Sequence, residues 1–284
     1  MKDLLSPSEI TDAVISVGEK KTSRTNKQML LLGILAGLFI ALGAYASNMV
    51  IHNFNSSYGM MKFVQGAVFP VGLILVLVAG ADLFTGNTLI FLGYLDKKVS
   101  MKAMLNNWFW VYIGNFIGSI IFLGLIYFTG LFEASNGALG ALHVKIAAGK
   151  TSLSTIQVFT RGILANFVVC LAVWMAIGCK TMIGKVFASW FPIMAFVAGG
   201  FEHSIANMYY IPAGILSKAK YSSILKISSD KLSQLNLAGA THNIAVATIG
   251  NILGGGVFIG IIYYIIFKSE KKQIKSVKNK ESVN

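Results

Sequence analysis

The sequence predicts an all-α membrane protein: six transmembrane helices as two inverted three-helix repeats, with the second and fifth helices broken. Three observations carry that reading. Apolar runs of about 18 or more residues recur along the chain, each long enough at about 1.5 Å per residue to cross a hydrocarbon core of about 30 Å. Short motifs in the first half return in the same order in the second. The second and fifth apolar runs are each interrupted midway by polar residues. Composition agrees: 55% of the 284 residues are hydrophobic and 12% are charged, about half the charged share of an ordinary soluble domain.

Taken in order, residues 1–28 are polar and predict a cytoplasmic N-terminal amphipathic helix rather than a cleavable signal. Ser6-Pro7-Ser8-Glu9 is a helix start, with proline at the first position and Glu9 placed to close a capping box. Ile10, Val14 and Val17 follow at helical spacing, which leaves a helix packed on the protein's own inner face or one that gates. The channel domain covers 29–267, with spans near 29–51, 64–95, 104–131, 156–179, 186–217 and 242–267. Its repeats are 29–131 and 156–267, and 268–284 form a basic cytoplasmic tail.

The net charge of +13 does not point to nucleic acid, because the basic residues sit between and beyond the spans. Six spans put both termini on one side. That side carries 16 of the 24 Lys and Arg residues, so the positive-inside rule makes it cytoplasmic. Lys218, Lys220, Lys226 and Lys231 in the last outer loop run against the trend. Cys170 and Cys179 lie on one helix about 13.5 Å apart by rise, too far for a disulfide.

Gly33-Ile34-Leu35-Ala36 returns as Gly162-Ile163-Leu164-Ala165, and Ile113-Gly114-Asn115 as Ile249-Gly250-Asn251. Between these pairs lie the two interruptions, 81–88 (ADLFTGNT) and 201–207 (FEHSIAN). Three crossings reverse the chain's direction, so the second copy is inverted about an axis in the membrane plane. Backbone freed from a helix at that depth must be buried in protein or line a wet cavity, which makes the two breaks the translocation site. Half-helix N-termini there aim unpaired N–H groups at the passage and suit an anion. Gly33 and Gly37, Gly114 and Gly118, and Gly250 and Gly254 stand four apart on one face, where they let backbones approach.

His203 is the leading chemical candidate, an imidazole inside a broken span able to donate a hydrogen bond or a proton to a passing anion. Glu202, adjacent on a helix, would point about 100° away and tie down backbone instead. Asp82 is expected to cap the half-helix that follows it, and the Thr85 hydroxyl to face the passage. Lys150 is either an ordinary solvated lysine or a cation that concentrates anions at the mouth. Asn166 and Asn251 are either glue between helices or passage contacts. The sequence carries no phosphate loop, dinucleotide fingerprint, paired carboxylates or metal-spaced Cys/His set, which argues against an enzyme, a cofactor or a bound metal.

Four stretches resemble the formate/nitrite transporter family of bacterial anion channels: 80–87 (GADLFTGN), 162–174 (GILANFVVCLAVW), 200–208 (GFEHSIANM) and 250–256 (GNILGGG). The resemblance covers nearly the whole chain. It implies a homopentamer in the bacterial cytoplasmic membrane, each protomer with an aquaporin-like inverted repeat and its own pore for small monovalent anions. It implies two apolar constrictions formed by Phe69, Leu73, Leu83, Phe84 and Phe196, with Thr85 on the loop of the second span, His203 between the constrictions, Lys150 in the vestibule and Asn166 beside it. Formate, nitrite and hydrosulfide are the substrates of the family, and overall likeness favours hydrosulfide; Pro70 beside Phe69 hints at an altered slit. The alternative is an obligate proton-coupled formate or nitrite transporter. A neutral-solute channel is disfavoured, since neither break carries Asn-Pro-Ala.

Overall fold

A computed structural model describes residues 4–268. Most of the expected tail, 268–284, therefore lies outside the described residues. The N-terminal helix α1 (Pro7–Thr22) begins as expected, with the Glu9 carboxylate accepting from the Ser6 N–H at 2.7 Å. Its buried apolar side chains are Ile10, Val14 and Ile15, which pack on the rest of the bundle.

Next comes α2 (Asn26–Ile51), followed by the second span in pieces: α3 (Tyr58–Val68), α4 (Val71–Leu75), a π-helical turn at Val76–Gly80, then α5 (Phe84–Asn87), a 3-10 turn and α6 (Phe91–Leu95). A long α7 (Met101–Phe128) leads through a 3-10 turn to α8 (Ala134–Thr151), and α9 (Thr155–Gly178) opens the second half. The fifth span is α10 (Met182–Ala198) and α11 (Ser204–Tyr221) end to end. A short α12 (Ser229–Gln234) precedes α13 (Leu237–Ile252), which runs on as a π-helix through Ile261. Five helices of the described residues are long and apolar enough to cross a membrane alone. Broken backbone explains why the fifth span is not among them.

Both expected breaks are present. Residues 81–83 and 201–203 are extended rather than helical, and each break is entered through a glycine in the left-handed region, Gly80 (φ 91°) and Gly200 (φ 70°). Only glycine adopts that conformation without strain. Close approach of α2 and α7 likewise needs a bare backbone: a Cβ on Gly118 would stand 2.0 Å from the Ile34 carbonyl oxygen.

Buried amides make the inverted repeat physical. Asn115 on α7 accepts from the Phe84 N–H (2.9 Å) and donates to the carbonyls of Gly33 (2.8 Å) and Asp82 (3.0 Å). Asn251 on α13 accepts from the Ser204 N–H (2.9 Å) and donates to the carbonyls of Gly162 (2.7 Å) and Glu202 (3.0 Å). One amide therefore pins three strands of chain at each break, satisfying backbone that no lipid or helix partner would satisfy. The Asp82 N–H reaches the Leu32 carbonyl (3.1 Å) as the Glu202 N–H reaches that of Arg161 (3.3 Å). These pairs fix a correspondence of 129 residues between the opening helices, Gly33 with Gly162 and Leu32 with Arg161. It extends outward, because the capping box Thr25/Gln28 that starts α2 recurs as Ser154/Gln157 at α9. By the same count α1 is the counterpart of α8.

Asp82 does not cap the half-helix. The cap is the Asn115 amide oxygen, and the Asp82 carboxylate turns instead to Lys21 and Arg24. Two cations hold a buried carboxylate more strongly than one backbone N–H does.

Candidate functional site

The two breaks face each other at the centre of the bundle. His203 is the N-cap residue of α11, where its Nδ1 accepts from the Ala206 N–H at 3.1 Å. Its Nε2 lies 2.8 Å from Thr85 Oγ1, on the opposite break. A backbone N–H always donates, so Nδ1 is the bare nitrogen and the neutral ring carries its proton on Nε2. Nε2–H then donates to Thr85, whose own hydroxyl hydrogen stays free. Both residues are buried.

Three cavities adjoin the two breaks. The first, about 370 Å³, is lined by Lys150, Glu202, His203, Phe69 and Phe196 among others. A small one of about 10 Å³ lies among Ile40, Phe69, Leu73, Leu83, Val169, Ile193, Phe196 and His203. The third, about 280 Å³, is lined by Lys21, Arg24, Leu32, Val76, Asp82 and Asn87 with others. Because α2 reaches the first cavity with Ile51 and the third with Leu32, the two large cavities open at opposite ends of that helix. Phe69 and Phe196, ring centroids 5.9 Å apart, separate the first cavity from the small one. Leu73 and Leu83 line the small cavity's wall next to the Asp82 break.

The structure thus gathers Phe69, Leu73, Leu83, Phe196 and His203 around one narrow space. Phe84 stands apart. Its ring packs edge-on against Tyr112 (4.9 Å) and Trp108 (5.9 Å) and lines none of the three cavities. Asn166 is not beside Lys150 either. Its Nδ2 donates to the Asn251 carbonyl (2.6 Å), the Thr85 carbonyl (3.1 Å) and Thr88 Oγ1 (3.1 Å), so it ties the first break to α13 behind Thr85.

Lys150 Nζ donates to Glu202 Oε1 at 2.9 Å, while Glu202 Oε2 accepts from Asn207 (2.7 Å) and Asn243 (3.3 Å). Glu202 therefore lines the same cavity as His203. The 100° helical offset does not apply, because 201–203 are extended backbone and Glu202 precedes the helix.

A set of equal form stands at the other end, and its lysine was missed from sequence. Lys21 Nζ lies 3.0 Å from Asp82 Oδ1 and donates to Asn87 Oδ1 at 2.6 Å. Asn107 donates to the Lys21 carbonyl (3.2 Å) and accepts from Asn87 (2.8 Å), as Asn243 donates to the Lys150 carbonyl (3.0 Å) and accepts from Asn207 (2.7 Å). Lys21 and Lys150 are 129 residues apart, the interval of Gly33 and Gly162. Projecting that interval from Lys150 would have found Lys21 in the sequence. Its place in a stretch rich in Lys made it look like a topology signal only.

No group of three or more His, Cys, Asp or Glu residues among the described residues is placed to hold a metal. What the arrangement offers is a cation beside a carboxylate at each mouth, an apolar slit, and the His203 imidazole in the slit's wall; Thr85, expected to face the passage, lines none of the three cavities and stands behind that imidazole as its hydrogen-bond partner.

Known proteins share this sequence pattern and fold. The family model described as Formate/nitrite transporter matches residues 8–265. An uncharacterized transporter, YrhG, of Bacillus subtilis is 38% identical, covering 96% of this chain and 97% of the relative. The formate channel FocA of Escherichia coli is 34% identical, over 94% of this chain and 96% of its own. Among solved structures, a pentameric formate channel with formate bound superposes with a TM-score of 0.76 at 33% identity, covering 85% of this chain and 97% of that one. A structure described as an FNT family ion channel gives 0.76 at 28% identity, covering 91% and 98%.

Proposed function

We propose that this chain, which belongs to the formate/nitrite transporter family, is a multi-pass membrane channel for small monovalent anions, assembled as a homopentamer with one passage per protomer. The observation that carries the reading is His203, hydrogen-bonded to Thr85, in the wall of a cavity otherwise lined by Phe, Leu, Ile and Val, with a paired lysine at each mouth. An anion entering between Phe69 and Phe196 must shed water, and a bare charge at that depth costs about 2.5 to 3.5 kcal/mol or more. The Nε2–H of His203, which lines the cavity and rests on Thr85 behind it, replaces part of the lost hydration when it turns to the anion.

His203 acts in this geometry as a hydrogen-bond donor and not as an acid. To become an imidazolium it would need a proton on Nδ1, which holds the N–H of Ala206. Giving up the Nε2 proton from the neutral ring would leave an imidazolate. The anion is therefore escorted by donors, and any proton that accompanies it comes from water in the mouths.

Among the candidates we favour hydrosulfide. The central space of about 10 Å³ is close to the least that holds one water, about 10 to 15 Å³. A one-heavy-atom anion fits it with less strain than planar formate or nitrite. Formate is the anion named for the channels it resembles, so both belong in the test. We place the chain in the bacterial cytoplasmic membrane, termini inward.

Flux of hydrosulfide, formate, nitrite and chloride into proteoliposomes tests the reading. Selective passage of the first three is expected. A His203→Ala channel with full flux would remove the role given to His203, and uphill accumulation driven by a proton gradient alone would replace the channel by a proton-coupled transporter.

A further inference from the structure

The inverted repeat makes the two mouths comparable residue by residue, and one exchange between them stands out. Leu32 and Arg161 occupy equivalent positions, since each gives its carbonyl to the N–H that opens a break. Leu32 lines the cavity of Lys21, and Arg161 lines the cavity of Lys150. A second exchange runs the other way: Arg24 lines the Lys21 cavity, and Leu153, 129 residues on, lines the Lys150 cavity.

The two arginines are not used alike. Arg24 is paired with the Asp82 carboxylate, together with Lys21. Arg161 is half-buried, and among the described residues its guanidinium has no hydrogen-bond or ion-pair partner. Lys62 joins it in the same cavity, donating to Gln65 Oε1 at 3.1 Å and, among the described residues, forming no ion pair. Lys150, by contrast, is already neutralised by Glu202. Four cations and one carboxylate line the Lys150 cavity, against two and one at the other mouth.

We propose that Arg161, helped by Lys62, is the capture residue of the Lys150 mouth: an anion-binding fork in front of the Phe69–Phe196 slit that prefers small carboxylates and oxyanions. This rests on the channel reading above. A free guanidinium offers two parallel N–H groups that match the two oxygens of formate or nitrite, whereas an ammonium presents a point charge. Cations held by low-dielectric walls raise the local anion concentration at the slit, and salt weakens them.

The test is permeability of labelled formate, and separately of hydrosulfide, into proteoliposomes of the full chain with the membrane potential clamped. Arg161→Leu installs the residue of the equivalent position, and Arg161→Lys keeps the charge without the fork. In about 20 mM salt, Arg161→Leu is expected to lower formate permeability about fivefold, the deficit shrinking as salt rises and being smaller for hydrosulfide. Arg161→Lys should recover most of the hydrosulfide permeability and less of that for formate. An unchanged Arg161→Leu channel, or a deficit independent of salt as misfolding would give, overturns the capture role. Equal deficits for the two anions overturn the fork. Wild-type vesicles no more permeable than empty ones overturn the channel reading and this inference with it.

Discussion

Replacing Asn251 by alanine tests the idea that single amides hold the broken helices open. The side chain is buried and makes three hydrogen bonds, to the Ser204 N–H and to the carbonyls of Gly162 and Glu202, at 2.7 to 3.0 Å. Alanine leaves one donor and two acceptors stranded where neither water nor lipid can serve them. Hydrogen bonds between membrane helices average about 0.6 kcal/mol and reach about 1.7, and orphaned buried groups cost about 1 to 3 kcal/mol. Three such losses together come to roughly 2 to 4 kcal/mol. Asn251→Asp keeps the acceptor for Ser204 but turns lone pairs toward two carbonyl oxygens, so it should be no better. The assay is an unfolding titration in mixed SDS micelles, read alongside anion flux into liposomes. Inverted symmetry adds a demand, because Asn115→Ala removes the same three kinds of bond at the other break and should cost a similar amount. If either alanine variant unfolds within about 0.5 kcal/mol of wild type and conducts normally, the breaks are held by something other than these amides.

Further outcomes are expected at the passage. Thr85→Val keeps shape and removes the hydroxyl, leaving Nε2–H of His203 unpaired; flux should fall about tenfold, the equivalent of about 1.4 kcal/mol, with little change in unfolding, and an undiminished flux would separate Thr85 from permeation. Phe196→Ala opens the wall shared by two cavities, so acetate and water should begin to pass in a stopped-flow assay, and retained exclusion of both would place the barrier elsewhere. Lys150→Ala strands the Glu202 carboxylate, which is 2% exposed, and breaking such a pair costs about 3 to 5 kcal/mol. Adding Glu202→Gln should recover much of the stability without the flux, and a double variant as unstable as the single one would show that the pair is not what holds that corner. At the loop between α7 and α8 the Glu133 carboxyl is held below its usual range, first by the hydrogen bond from Lys220 and then by that from Tyr221. A depressed value means the contact is present above the ordinary carboxylate range and lost as pH falls through the lowered one, which the Glu133 carboxyl shift in NMR would follow.

The sequence by itself determined the number and placing of the spans, the two breaks, and the inverted repeat. Those features are written locally: a bilayer demands a minimum apolar length, and polar residues at that depth must serve something. It also contained His203 and Thr85, whose motifs sit inside the breaks, and the amides Asn115 and Asn251, whose Ile-Gly-Asn motif recurs in the third and sixth spans. Tertiary structure decided which groups meet. Asp82 faces Lys21 and Arg24, about 60 positions earlier in the chain, and a carboxylate in a polar stretch could equally have capped its own helix. Phe84 points to Trp108 and Tyr112 instead of the slit because it begins a half-helix, where direction depends on a cap supplied by α7. The unlike use of Arg24 and Arg161 is visible only once the repeats are superposed in space. Side-chain pairing depends on distances between elements far apart in sequence, and one-dimensional patterns fix which face is apolar but not which partner lies across it.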